Sequence, residues 1–339
     1  MKVNCPLCAN ETILKCDKWT GYQEPTVFSI YHCSNCNTAF SMPRCDTTKL
    51  YDLIYNNSSH LPGYSEYLDI YREIKQQKNP LRYLISKSLT YWSVNYALTK
   101  MLHLKSGKIF EIGCGYGYLT YALHEAGYDI KGLDVSKSAV SQAKKYFGDY
   151  YVCGDLFEYA KLYPESADAV ILTEVIEHVE QPLAFMSALA KILKPGGSII
   201  LTTPNKSFYP EDVIWSGDNP PVHCWWFSEE SIKYMADSLN LSIHFLDYSN
   251  SYQVSMSPYN QEPALNSYIL DADGKPIPQK WIGYYQGGIF PVKFKRSSFY
   301  QSFSQRLYPT IAKIFIHLIK EHAVCVLSFQ KNKIMSLFI

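Results

Sequence analysis

Nowhere in these 339 residues does an apolar run reach the length of a membrane-spanning helix without meeting a charge. The longest candidate, 307–329, is broken by Lys313, Lys320 and Glu321, so no span is expected. A surplus of either charge is also missing. The formal net charge is +1, whereas a chain built chiefly to grip nucleic acid carries a basic excess. The opening MKVNCPLCAN lacks the apolar core of an export signal. The expectation is therefore a cytoplasmic protein whose ten cysteines stay reduced and bind metal ahead of forming disulfides. Aromatic residues, by contrast, abound. The 29 tyrosines suit a flat or sugar-like ligand, or an ordinary core.

Four of the cysteines are paired in sequence. Cys5-Pro-Leu-Cys8 and Cys33-Ser-Asn-Cys36 form two C-x2-C turns separated by 24 residues. Two turns with two thiolates each suit a tetrahedral, structural Zn2+ with no open position. Some forty residues bury little core of their own, and a metal supplies the missing folding energy. The intervening TILKCDKWTGYQEPTVFSIYHC alternates apolar residues as short strands do, which predicts a zinc ribbon over 1–45. A redox pair would need a βαβ setting that is absent, and disulfides suit another compartment. Cys16 and Cys45 are left as free thiols.

Residues 46–105 read as a helical cover rich in Tyr and Leu. From 108 onward strands and helices alternate: KIFEIG, YLTYALHEAG, DIKGLDV, SKSAVSQAKKYF, YYVCGD, ADAVILTEV, QPLAFMSALAKILKPGG, SIILTTPN. That alternation predicts an α/β fold with a doubly wound, mostly parallel sheet, its ligand beyond the carboxyl ends of the strands. The core is placed at 106–249. In FEIGCGYGYLTYAL the glycines are Gly113, Gly115 and Gly117, and the position that a dinucleotide fingerprint would fill with glycine is Tyr118. A bulky residue there speaks against a pyrophosphate turn. Asp134 ends the second strand, where a carboxylate accepts ribose hydroxyls from either kind of ligand.

The later strands separate the alternatives. Asp155 ends the third strand in VCGDL, the fourth runs into TEVIEHVEQP, and LKPGGSIILTTPN follows. Together the glycine loop, the two strand-end acids and the LKPGG turn resemble the class I S-adenosylmethionine (SAM)-dependent methyltransferases, over about residues 108–205. The resemblance implies SAM as cofactor. Glu111 and the backbone of Gly113, Gly115 and Gly117 would hold its amino-acid end. Asp134, with Val135 beside it, would take the ribose, Asp155 with Leu156 the adenine, and Glu174 would line the pocket. The plainer readings are a solvated strand residue for Glu111 and a helix N-cap for Asp155.

Two constellations could serve the chemistry. Glu174, Glu177 and His178 sit at offsets of three and four, one face of a helical turn. The stretch resembles the ubiquinone-pathway O-methyltransferases, some of which use a metal there. Either a divalent cation such as Mg2+ binds, or these residues line the pocket or cap the turn. Further on, NPPVHCWWFSEE holds His223 on a loop after the fifth strand, fixed by Pro220-Pro221 and by a helix that Ser228 caps. A neutral imidazole there is a candidate general base, or else it packs the loop. The H-x-x-W-F-S run resembles bacterial sugar C-methyltransferases, whose histidine is flanked by Tyr and Glu. Here the flanks are Pro220 and Val222, so O-methylation is expected over C-methylation. Trp225, Trp226 and Phe227 would form an aromatic wall for the acceptor or plain packing.

From Lys275 onward the charge balance is +9, against −8 before it. LYPTIAKIFIHLIK reads as a basic amphipathic helix in an insertion or lid over 250–320, before a final strand and tail at 321–339. It would lie on an anionic membrane, meet a lipid-linked or phosphate-bearing substrate, or pack on the sheet. The reading is a methyltransferase acting on a small-molecule or saccharide acceptor. The alternatives are an RNA methyltransferase gripping through the basic tail, and a non-catalytic SAM-binding module.

Overall fold

The computed structural model describes residues 3–61, 64–208, 219–246 and 267–278, and the backbone of a strand at 322–328. The helix expected within 307–320 and most of the 250–320 insertion lie outside the described residues. Among the described residues no helix is long and apolar enough to cross a membrane.

The chain opens with three antiparallel strands, β1 (Ile13–Thr20), β2 (Val27–Cys33) and β3 (Thr38–Met42). The Cys5–Cys8 turn precedes them and Cys36 lies between β2 and β3. Cys5 and Cys36 sulfurs are 3.7 Å apart and those of Cys8 and Cys33 3.4 Å, far beyond a disulfide bond. Zn–S bonds of about 2.3 Å in a tetrahedron put sulfurs roughly 3.8 Å apart. The four close cysteines thus fit a zinc ribbon.

Four helices follow: α1 (Thr48–Asn56), α2 (Tyr64–Glu73), α3 (Pro80–Lys87) and α4 (Leu89–Tyr96). α3 starts where Asn79 accepts from Arg82 N at 2.9 Å and Pro80 takes the first helical position. Then come β4 (Lys108–Ile112), α5 (Tyr118–Glu125), β5 (Asp129–Asp134), α6 (Lys137–Phe147), β6 (Tyr151–Cys153), α7 (Leu156–Leu162), β7 (Ala167–Thr173), α8 (Pro182–Ile192) and β8 (Leu193–Pro204). β9 (Trp225–Trp226), α9 (Glu229–Ser238), β10 (Ser242–Phe245) and β11 (His322–Ser328) complete the elements. Ser136 and Ser228 cap α6 and α9 as expected, and Ser228 does so in a reciprocal capping box with Ser231.

The main sheet runs β10-β11-β8-β7-β4-β5-β6. Its five strands from β8 to β6 are parallel, and β11 joins antiparallel to β8, then β10 to β11. Strand order reverses between β4 and β7, the position where ligands bind in such sheets. β7 is apolar without alternation because both faces are covered. Val170 faces a cluster with α7 and α8, Ile171 one with α4 and α5. The expected α8-to-β8 turn at LKPGG is instead absorbed into β8, which starts at Leu193.

The ribbon is not freestanding. β9 pairs antiparallel with β3, Phe40 opposite Trp225 and Ala39 opposite Trp226, so the ribbon's fourth strand comes from the far side of the core. Trp225, Trp226 and Phe227 are therefore core, not a wall for an acceptor. Trp225 stacks on Phe227 at 5.6 Å between ring centroids, and Trp226 meets Trp19 edge-on at 6.3 Å.

Candidate functional site

The cofactor half of the site is built at the carboxyl ends of β4 and β5. β4 delivers Glu111 to the interior, and the chain then turns through Gly113, Gly115 and Gly117, all at positive φ. Side chains are excluded there. A Cβ at Gly117 would lie 2.5 Å from Tyr151 Cε1 and one at Gly113 2.6 Å from Val175 Cγ2. The loop is tied to the next strand, since Gly113 N donates to Leu133 O at 2.8 Å and Gly115 N to Asp134 Oδ2 at 2.8 Å. The other Asp134 oxygen accepts from Ser136 N at 2.8 Å. Tyr118, where a dinucleotide fingerprint has its third glycine, meets Tyr91 hydroxyl to hydroxyl at 2.7 Å.

Glu111 is buried rather than solvated, and its Oε2 accepts from Thr120 Oγ1. Burial pushes its carboxyl up to about 7 and also raises that of Asp134. Beside Asp134, Val135 is 74% exposed while Leu156 is buried. An apolar side chain left open next to a strand-end acid could pack against a flat ring. Asp155 caps α7, its Oδ1 accepting from Phe157 N and Glu158 N at 2.8 and 3.1 Å. The N-cap reading of this residue thus describes one of its two oxygens.

The second half lies after β7. Glu174 sits at φ 54, a left-handed conformation unusual for a residue with a side chain. It is fixed by Thr202, whose carbonyl accepts from Glu174 N at 3.0 Å and whose hydroxyl donates to Glu174 Oε1 at 2.7 Å. Ile176–His178 then form a single 3-10 turn. The shared helical face expected for Glu174, Glu177 and His178 is not formed. The groups that do converge are Glu177, His178 and His223, whose ligand-type atoms all lie within 4.8 Å of one another. This set, not the one with Glu174, could hold a cation.

Glu177 is 1% exposed and its Oε2 accepts from Thr203 Oγ1 at 3.0 Å. His178 Nδ1 is 2.8 Å from Val222 O and 3.0 Å from the Tyr51 hydroxyl. A carbonyl only accepts, so Nδ1 carries the proton and Nε2 presents its lone pair, 3.9 Å from Glu177 Oε1. The His223 ring lies 4.6 Å from that of His178, crossed at 70°. Burial depresses His223 to about 3 and keeps it neutral.

Two residues that sequence reasoning missed come from α1. Tyr51 reaches His178, and Tyr55, one turn on, places its hydroxyl 3.5 Å from where a Gly115 Cβ would stand. The i, i+4 spacing of these tyrosines was the available signal.

Residues 91–244 match the family described as a methyltransferase domain. Ubiquinone biosynthesis O-methyltransferases of Aliivibrio fischeri (strain MJ11) and Photobacterium profundum are 31% and 32% identical over 150 residues, 42% of this chain and 59% of each relative. The chain thus covers less than two-thirds of these relatives. Among solved structures, a SAM-dependent methyltransferase from Archaeoglobus fulgidus is 15% identical with a TM-score of 0.41, covering 77% of this chain and 99% of that one. One from Mesorhizobium loti is 14% identical with a TM-score of 0.43, covering 71% and 98%. The family match takes in just under half of the chain, and the glycine loop and the five parallel strands lie within it.

Proposed function

We propose that the chain is a SAM-dependent methyltransferase that transfers a methyl group to a hydroxyl of a small-molecule or saccharide acceptor bound against His178 and His223. The supporting observation is the convergence of Glu177, His178 and His223 after β7, beyond the same strand ends that carry the glycine loop. The cradle around Gly113, Asp134 and the open Val135 fits SAM, and the four cysteines fit one structural Zn2+.

Bound SAM would supply an activated methyl group for displacement by the acceptor oxygen. The chain's task is alignment and removal of the hydroxyl proton. His178 is set up for the second, because Val222 O holds the Nδ1 proton and leaves Nε2 to accept. His223 was the expected base. Its depressed basicity makes it a poor proton acceptor and suits it to line the site beside His178. Glu177, behind Nε2, stabilises the imidazolium that forms.

The test is purified protein with tritiated SAM and a fractionated extract of the source organism. Label in a small-molecule, glycan or glycolipid fraction is the expected result, lost in His178→Ala and reduced in His223→Ala. Label in RNA would overturn the acceptor class. SAM binding with no label in any fraction would favour a non-catalytic module. Elemental analysis should find one zinc per chain, lost in Cys36→Ser.

A further inference from the structure

The loop that carries His223 hangs from the cysteine ribbon on both flanks. Before it, Trp19 Nε1 donates to Asn219 Oδ1 at 3.3 Å and Tyr22 N to Pro220 O at 2.7 Å. After it, Ser41 N donates to Cys224 O at 3.0 Å, and Arg44 lays its guanidinium 4.2 Å from the Trp225 ring centroid. Between these flanks the ties run to the core instead. Cys224 N donates to Glu177 O at 2.9 Å and Val222 O accepts from His178.

Tyr22 reaches further still. It is 1% exposed in a cluster with Leu50 and Ile54 of α1, Leu61, Val222 and Leu270. Its carbonyl accepts from Ile269 N and Leu270 N at 2.9 and 3.0 Å. Three separate segments therefore meet one ribbon turn: the helix that brings Tyr51 to His178, the His223 loop, and residues 267–270. The turn itself is tight, since a Cβ on Gly21 would stand 2.1 Å from Thr26 Oγ1. The cofactor loop is braced differently, by Leu133 and Asp134 of the neighbouring strand.

We propose that the end of β1 and the turn after it, through Trp19 and Tyr22, position the acceptor half of the site, while the cofactor loop is held by its own backbone ties to β5. This rests on reading the His178–His223 cluster as the place of methyl transfer. A four-cysteine module with no open coordination position then has a part in acceptor recognition without touching the chemistry.

The test uses the full chain as wild type, Trp19→Phe and Tyr22→Leu. Modification of each histidine by diethyl pyrocarbonate is followed by mass spectrometry, and SAM affinity by calorimetry. Loss of the indole N–H should speed modification of His223 about fivefold, the worth of one hydrogen bond. Tyr22→Leu should speed it more. The exposed His103 and His244 should not change, and the SAM dissociation constant should stay within about twofold. An unchanged His223 rate in Trp19→Phe would overturn the proposal. So would SAM affinity that falls in step with loop opening, since the turn would then be a general stability element. Neither readout needs an acceptor, so failure here is distinguishable from failure of the transfer reading. Trp19→Phe decides the matter even where Tyr22→Leu does not fold.

Discussion

SAM affinity should depend on pH through Glu111. This carboxyl is raised by burial from 4.5 to about 7. If it holds the cofactor's ammonium, SAM binds the ionised form alone, and binding expels the proton. At pH 6 about a tenth of Glu111 is ionised and at pH 8 about nine-tenths, so the apparent dissociation constant should be about tenfold weaker at pH 6, or about 1.4 kcal/mol. Calorimetry in buffers of differing ionisation enthalpy should show close to one proton released per SAM at pH 6 and about a tenth of one at pH 8. The amine of the ligand titrates equally against Glu111→Gln, so the difference between the two proteins isolates Glu111. Equal pH dependence in both would refute the reasoning. The stability effect has the opposite sense. A carboxyl raised in the folded state contributes stability below its unfolded value, and that contribution is lost as pH rises through about 7. The unliganded protein should therefore lose up to about 3 kcal/mol between pH 4.5 and 8 from this group, and Glu111→Gln should recover much of it in the Tm at pH 8.

Other substitutions follow from the same geometry. Gly117→Ala meets both a φ of 78 and Tyr151 Cε1 at 2.5 Å, so thermal denaturation should show a loss of about 1–3 kcal/mol along with weaker SAM binding. Asp134→Ala removes the carboxylate that anchors Gly115 N, and SAM affinity by calorimetry should fall about 10- to 100-fold. Trp226→Ala opens a cavity between β3 and Trp19 and should cost about 3–5 kcal/mol by denaturant unfolding.

Local signals carried most of the cofactor half. The alternation of apolar strands with capped helices, the three glycines and the acids at strand ends are adjacent-residue patterns; the glycines and Asp134 lie where the pattern put them, whereas Asp155 stands two residues beyond β6 as the N-cap of α7. The acceptor half was opaque for three physical reasons. The offsets of Glu174, Glu177 and His178 imply a helical face only if the backbone is helical, and Glu174 at φ 54 breaks it. β9 is two residues long and has no periodicity to detect, so the sequence left WWF open between an acceptor wall and packing, and the strand Trp225–Trp226 settles it as packing. Tyr51 and Tyr55 lie on a short helix whose apolar face is like any other until its neighbours are known.

The pairing of β3 with β9 also bears on how the chain is made. Phe40 and Trp225 are partners in one sheet but 185 positions apart in the chain. At about 5–20 residues per second, roughly 10–40 s of synthesis separate them. During that interval Cys5, Cys8, Cys33 and Cys36 can already be gathered, yet β3 is an unpaired sheet edge of Ala39 and Phe40, groups that the finished protein keeps at 0% exposure. Cys36 O likewise waits for the Ser231 hydroxyl that will meet it at 2.9 Å. Closure of that edge therefore depends on a contact of long sequence separation, the kind whose loop-closure cost slows folding.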